Sequence, residues 1–127
     1  MRLFRVILGV TDIDAASTFY AALLGQPGRR ISPGQQYFDV GRSILACVDG
    51  AAEGGAPVPA AAAPLALAVH DLETFLARAR TAGARFDAEP MQDLPEEAGS
   101  GERSFHCCDP WGNRLVFVEA GTEFTGA

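Results

Sequence analysis

Lysine is missing from this chain: all ten basic residues are arginine, set against sixteen acids. Without lysine a Walker-type phosphate loop cannot be completed, and glycine-rich residues 50–55 do not sit between a strand and a helix. The net charge of −6 is interrupted by no basic stripe, so nucleic acid would be repelled. An acidic surface suits a cationic ligand, although acidity also serves solubility alone. No stretch approaches the roughly 20 consecutive apolar residues that span a bilayer, so no membrane partner is expected. Met1-Arg2-Leu3-Phe4-Arg5 begins an alternating strand pattern rather than the apolar run of a secretory signal, and a cytoplasmic protein is expected.

Cysteine is scarce too. Cys47, Cys107 and Cys108 are odd in number and two are adjacent, which argues against a disulfide framework and fits a reducing compartment. They read as small buried hydrophobes, since a Cys-Cys pair without CxxC spacing is a weak metal signal. Gly9-Val10-Thr11 is no nucleophile elbow, and nothing beyond residue types supports a Ser-His-Asp triad.

What is present is a pattern that occurs twice. Apolar residues make up 48% of the chain, enough for one compact domain or two small modules sharing a core. Phe4, Val6, Leu8 and Val10 alternate along one strand face, with Leu3, Arg5, Ile7 and Gly9 on the other. Asp12 then caps a helix with apolar positions Ile13, Ala16, Phe19, Tyr20, Leu23 and Leu24, stopped by Gly25. Leu65, Leu67 and Val69 alternate likewise. Asp71 precedes Leu72, Phe75, Leu76 and Ala79, and Gly83 ends that helix. Val10-Thr11-Asp12-Ile13 superposes on Val69-His70-Asp71-Leu72 with an offset of 59 residues, an internal-repeat signal.

Strand candidates follow each helix: 29–32, 35–40 and 43–48 in the first module, then 85–87, 104–108 and 114–119 in the second. Asp109-Pro110-Trp111-Gly112 suits a type I turn between the last two. The expected organisation is a first βαβββ module over 1–49, an Ala/Gly/Pro-rich linker over 50–63, and a second βαβββ module with a C-terminal tail over 64–127. Residues 88–101 read as a long loop, over a site or simply disordered. The fold class is α+β, with curved mixed sheets enclosing a cavity and helices on the outer faces. The helix-free faces must meet each other or those of a partner chain.

Val10-Thr-Asp-Ile-Asp-Ala-Ala-Ser-Thr-Phe19-Tyr20 resembles the first strand-helix junction of the vicinal oxygen chelate superfamily, which includes glyoxalases, bleomycin resistance proteins and extradiol dioxygenases. Asp109-Pro-Trp-Gly-Asn-Arg-Leu-Val-Phe-Val-Glu119 resembles its closing hairpin. The likeness runs from Leu3 to Glu119, and its motifs specify fold rather than function. Metal-dependent members place His, Gln or Glu at four inward positions. By this resemblance those positions are Arg5, Pro64, Val116 and, aligning Gly41 with Gly112, Leu45. None of these side chains can donate to a divalent ion, so no metal or other cofactor is expected.

The cavity implied by the resemblance is mostly apolar. Its expected ligand-binding residues are Arg5, Ile7, Leu45, Cys47, Ala66, His106, Val116 and Val118, with Ala68 alongside. The resemblance turns His106 inward, whereas hairpin counting allows Phe105 and Cys107 there instead. His106 is then a candidate catalytic base or an ordinary strand histidine. Arg5 reads as an anchor for a carboxylate, phenolate or phosphate, or as the partner of an acid such as Asp39 or Glu119. Tyr37 and Trp111 are candidates for aromatic stacking, Trp111 more plainly for packing, and His70 is expected to face solvent.

The leading expectation is metal-independent binding of a small organic molecule, similar to the bleomycin-resistance branch, where sequestration gives antibiotic resistance. The alternatives are a metal-dependent lyase, isomerase or dioxygenase, and a metal-free enzyme in which His106 is the base and Arg5 steadies negative charge. A homodimer is expected, because pairing sheets across chains buries more apolar area than one small chain can.

Overall fold

The repeat organises the whole molecule. A computed structural model of the protein describes residues 1–86 and 101–123. Strand β1 (Arg5–Gly9) leads to helix α1 (Ile13–Leu24), followed by β2 (Arg29–Ser32), β3 (Gln35–Val40) and β4 (Ser43–Val48). The second half repeats the plan with β5 (Leu65–Val69), α2 (Leu72–Ala82), β6 (Ser104–Cys108) and β7 (Arg114–Glu119). The first sheet has the order β1-β4-β3-β2 and the second β5-β7-β6. Each opening strand runs parallel to the last strand of its module, and the remaining pairs are antiparallel. The two-module α+β plan is therefore as the sequence implies.

Among the described residues the second module has three strands, β5, β6 and β7. Of the expected strand 85–87, Arg85 makes only an isolated bridge to Cys108, and Phe86 is not in a strand. Residues 87–100, which include nearly all of the expected long loop, lie outside the described residues.

Both helices start where the repeat puts an aspartate. The Asp12 carboxylate accepts from the Ala15 N–H at 3.0 Å, and the Asp71 carboxylate from the Thr74 N–H at 3.1 Å. Each satisfies an amide that the first helical turn leaves unpaired. Gly25 and Gly83 end the helices in the left-handed region. No helix among the described residues is long and apolar enough to cross a membrane.

Each helix covers one face of its own sheet, and the two helices also pack against each other. Leu8, Phe19, Leu23, Phe38 and Leu45 of the first module join Leu72, Phe105, Leu115 and Phe117 of the second in one core. Phe105 and Phe117 stack with ring centres 5.0 Å apart. Trp111 stands edge-on to Phe19 at 6.2 Å, so its role here is packing across the module boundary. Burying each large side chain contributes roughly 1.5–3 kcal/mol.

A buried polar clasp sits at that boundary. The Tyr20 hydroxyl donates to Asp109 at 2.6 Å. Asn113 Nδ2 donates to Asp109 at 2.8 Å and to the Gly9 carbonyl at 2.9 Å, while Asn113 Oδ1 accepts from the Ala61 N–H at 2.8 Å. The turn also contributes the Trp111 and Asn113 amides to Asp109. The expected linker passes tightly over β1: a Cβ on Gly9 would lie 2.2 Å from the Val58 carbonyl oxygen. Farther back, Glu53 holds the linker to the β2–β3 turn by accepting from Ser32, the Gly34 N–H and Gln35.

Candidate functional site

Strand register decides which residues share the faces turned away from the helices. In the first sheet Arg5 pairs with Ile44 and Ile7 with Ala46, while Tyr37 pairs with Ala46 and Asp39 with Ile44. Paired residues point to the same side. Arg5, Ile7, Ile44, Ala46, Tyr37 and Asp39 therefore form one face. It is open: Ile7 is 45% exposed.

In the second sheet Ala66 pairs with Val116, and Val116 with His106. Ala68, Val118 and Ser104 continue that face. The register thus places His106 with Val116, and Phe105 and Cys107 on the helix side. The expected residues Arg5 and Ile7 lie on one open face, and Ala66, His106, Val116 and Val118 on the other. His70 is exposed, as expected.

Leu45 and Cys47 lie on the opposite sheet face from Arg5 and Ile7. They pair with Val6 and Leu8, point toward the helix and are fully buried in the core. The slip comes from equating Gly41 with Gly112. Val40 and Ser43 flank a two-residue turn, whereas Cys108 and Arg114 flank five residues, 109–113. Counting four residues past each glycine therefore lands on opposite faces, since a one-residue slip inverts a strand. The repeat carries Ile7 onto Ala66, which makes Ala46, opposite Ile7, the counterpart of Val116. Burial pushes the thiols of Cys47 and Cys107 up to about 12, so they behave as hydrophobes rather than nucleophiles.

Arg5 meets neither expected acid. Asp39 pairs with Arg29 at 2.6 Å, and Glu119 with Arg103 at 2.8 Å. The Arg29 hydrogen bond holds the Asp39 carboxyl below its ordinary range. Arg5 instead donates to the Tyr37 hydroxyl at 2.8 Å, and its guanidinium lies 5.5 Å from the Phe4 ring centre. No ion pair to Arg5 is present among the described residues. Sequence reasoning had Tyr37 as a stacking residue and missed it as this partner. Counting outward from the Gly41-Arg42 turn would have put Tyr37 and Ala46 on the Arg5 face.

A cavity of about 470 Å³ lies elsewhere, between the modules. Its lining includes helix-side residues Val6, Leu45, Leu67, Phe75 and Phe117, all of β5, and the β3–β4 turn. Of the expected ligand-binding residues, Leu45 and Ala66 border it. Pro64, just before β5, is exposed. No group of three or more His, Cys, Asp or Glu side chains placed to hold a metal occurs among the described residues.

Comparison with known proteins agrees with this architecture. The family profile described as the Glyoxalase/Bleomycin resistance protein/Dioxygenase superfamily matches residues 2–117. A glyoxalase/bleomycin resistance protein from Albidiferax ferrireducens T118 is similar in structure, with a TM-score of 0.75, 21% identity, and 92% of this chain and 98% of that one covered. One from Catenulispora acidiphila DSM 44928 gives a TM-score of 0.69 at 23% identity, covering 94% and 99%. A lactoylglutathione lyase from Agrobacterium tumefaciens gives 0.68 at 21% identity, covering 94% and 93%. A search of curated proteins returned no match.

Proposed function

Because the chain belongs to the glyoxalase/bleomycin resistance protein/dioxygenase superfamily, we propose that it binds a small organic molecule without a metal ion, in a mostly apolar cavity closed between the helix-free sheet faces of two copies. The observation that carries this reading is Arg5. It stands on an open face at a position the family resemblance assigns to a metal ligand, bonded to a neutral hydroxyl and paired with no described acid.

A guanidinium is always protonated and has no lone pair to give, so it repels a divalent ion. Pro64, Ala46 (in place of Leu45) and Val116 have no donor side-chain atom either. This set does not suit the family's metal. It suits an organic ligand whose anionic or acceptor group meets Arg5 and whose apolar body lies on Ile7 and Ile44.

The two open faces do not close over one another through the chain's main contacts, which run helix to helix. A second copy set against this face would cover Ile7, so a homodimer belongs to this reading, as does a cytoplasmic location. Sequestration of a toxic molecule, the bleomycin-resistance role, is the function proposed. The structural likeness extends equally to a protein named as a lyase, which supports a second reading. His106 occupies the face of Val116 and Ala66, where it could act as a general base with no metal.

The test combines metal analysis of protein purified without chelators with a thermal-shift ligand screen that includes cationic aromatic antibiotics and organic acids. The expected result is sub-stoichiometric metal and a ligand that raises Tm in the wild type but not in Arg5→Met. One equivalent of bound Zn, Ni, Mn or Fe overturns the metal-free reading. Turnover of the ligand that is lost in His106→Ala favours catalysis over sequestration.

A further inference from the structure

The inter-module cavity has no part in that reading, and its walls have their own chemistry. Among the described residues strand β5 is an edge strand, paired only with β7. The Val69 carbonyl accepts from the Ala120 N–H, so the backbone polar groups of Val69, Leu67 and Leu65 turn toward β7. Strand alternation then turns the N–H and C=O of Ala66 and Ala68 the other way, off the bare edge. Both residues line the cavity, and both have side chains too small to shield their own backbone.

The remaining walls are apolar: Val6, Leu24, Val40, Leu67, Phe75 and Phe117. The polar residues in the lining already have partners. Asp39 pairs with Arg29, Gln26 donates to the Asp39 carbonyl, and the Ser43 hydroxyl donates to the Leu3 carbonyl. A charged guest would find no uncompensated counter-charge among the described residues of the lining and would lose its hydration. A neutral guest would meet apolar side chains and one exposed strip of backbone at Ala66 and Ala68 whose N–H and C=O can exchange water for a guest group. The volume of about 470 Å³ falls in the range of small-molecule sites, roughly 300–1,000 Å³.

We propose that this cavity, on the helix side of the sheets and touching the helix-free face only along the β5 edge, is a second binding site for an uncharged and mostly apolar molecule bearing a carbonyl, hydroxyl, amide or amine N–H group that pairs with the backbone edge at Ala66 and Ala68. The site uses neither Arg5 nor His106, so it stands or falls independently of the metal-free reading.

The test is a fluorescence titration of the full chain with N-phenyl-1-naphthylamine, a neutral apolar probe with one N–H, alongside amide-shift mapping by NMR. The expected result is saturable enhancement at one probe per chain, with shifts at Val40, Ala66, Ala68 and Phe75. Filling the cavity with Val40→Trp or Val69→Phe should weaken binding at least tenfold, while Arg5→Met stays within twofold. Circular dichroism checks that the filled variants fold, and if neither does, the shift map on the wild type decides. Absence of saturable binding, shifts confined to Arg5, Ile7, Ile44, His106 and Val116, loss of binding in Arg5→Met, or full affinity in both folded variants overturns the proposal. So does probe affinity that falls as protein concentration rises, because a second copy would then be filling the gap.

Discussion

Tyr20 and Asp109, 89 residues apart, are joined by a 2.6 Å hydrogen bond in which the phenol donates to a fully buried carboxylate. Asp109 has no described basic side chain against it and is held by four donors: the phenol, the Asn113 side-chain amide and two backbone amides. The DPWGN segment thus fastens one module to the other, and its polar residues are structural.

Loosening the clasp should therefore lower stability without touching ligand binding. Tyr20→Phe removes one buried hydrogen bond, and about 1–2 kcal/mol is expected. Asn113→Ala leaves the Gly9 carbonyl and the Ala61 N–H without their partner, and about 3 kcal/mol is expected. Urea denaturation measures both. A loss below about 0.5 kcal/mol in Asn113→Ala would show that water replaces the clasp freely.

Gly9 allows the linker to cross β1. An added Cβ would lie 2.2 Å from the Val58 oxygen and 2.3 Å from that of Pro59, both backbone atoms that no side-chain rotation can clear. Gly9→Ala should cost more than about 2 kcal/mol by thermal or urea melting, whereas a Gly→Ala change without strain stabilises by about 0.4–1 kcal/mol. A neutral outcome would mean the linker lifts away at little cost.

Alkali should destabilise the protein. The folded state keeps the Cys47 and Cys107 thiols protonated up to about 12, and unfolded thiols ionise near 8.5. The folded chain then binds more protons than the unfolded one, so stability is complete below the unfolded pKa and falls as pH rises through the interval between them. Tyr20, pushed up mainly by burial and next by Asp109, adds the same sign above about 10. Urea melts from pH 8 to 11 should show the decline. At pH 8 a thiol reagent should label native Cys47 and Cys107 far more slowly than unfolded protein.

If a second copy covers the open faces, a charge placed on one should separate them. Ile7→Glu puts a carboxylate at a 45% exposed apolar site and should weaken self-association at least tenfold by sedimentation, with melting little changed. An unaltered sedimentation profile would remove Ile7 from any interface.

Much of the fold was legible because its signals are local. The 3.6-residue periods of α1 and α2, the capping aspartates and the paired Val-x-Asp junctions all lie within one or two turns of chain, and each recurs in the structure. The candidate site was legible only in part. Arg5, Ile7, Ala66 and Val116 fall on open faces, but Leu45 and Cys47 do not, since unequal turn lengths change strand phase and a glycine-to-glycine alignment does not record turn length. The same limit hid the Arg5–Tyr37 contact, which spans three strands.

Taken alone, the sequence determined most of the elements, their order, their duplication and the fact that Arg5, Pro64 and Val116 have no lone pair to offer a divalent ion, because residue type and short-range spacing suffice for those. Tertiary structure alone decided that helix meets helix, that Asp109 accepts from Tyr20, that Arg29 rather than Arg5 takes Asp39, and that β5 leaves a bare edge beside a cavity. Those outcomes depend on register and on contacts between distant segments, where many arrangements satisfy the same local pattern and packing selects among them.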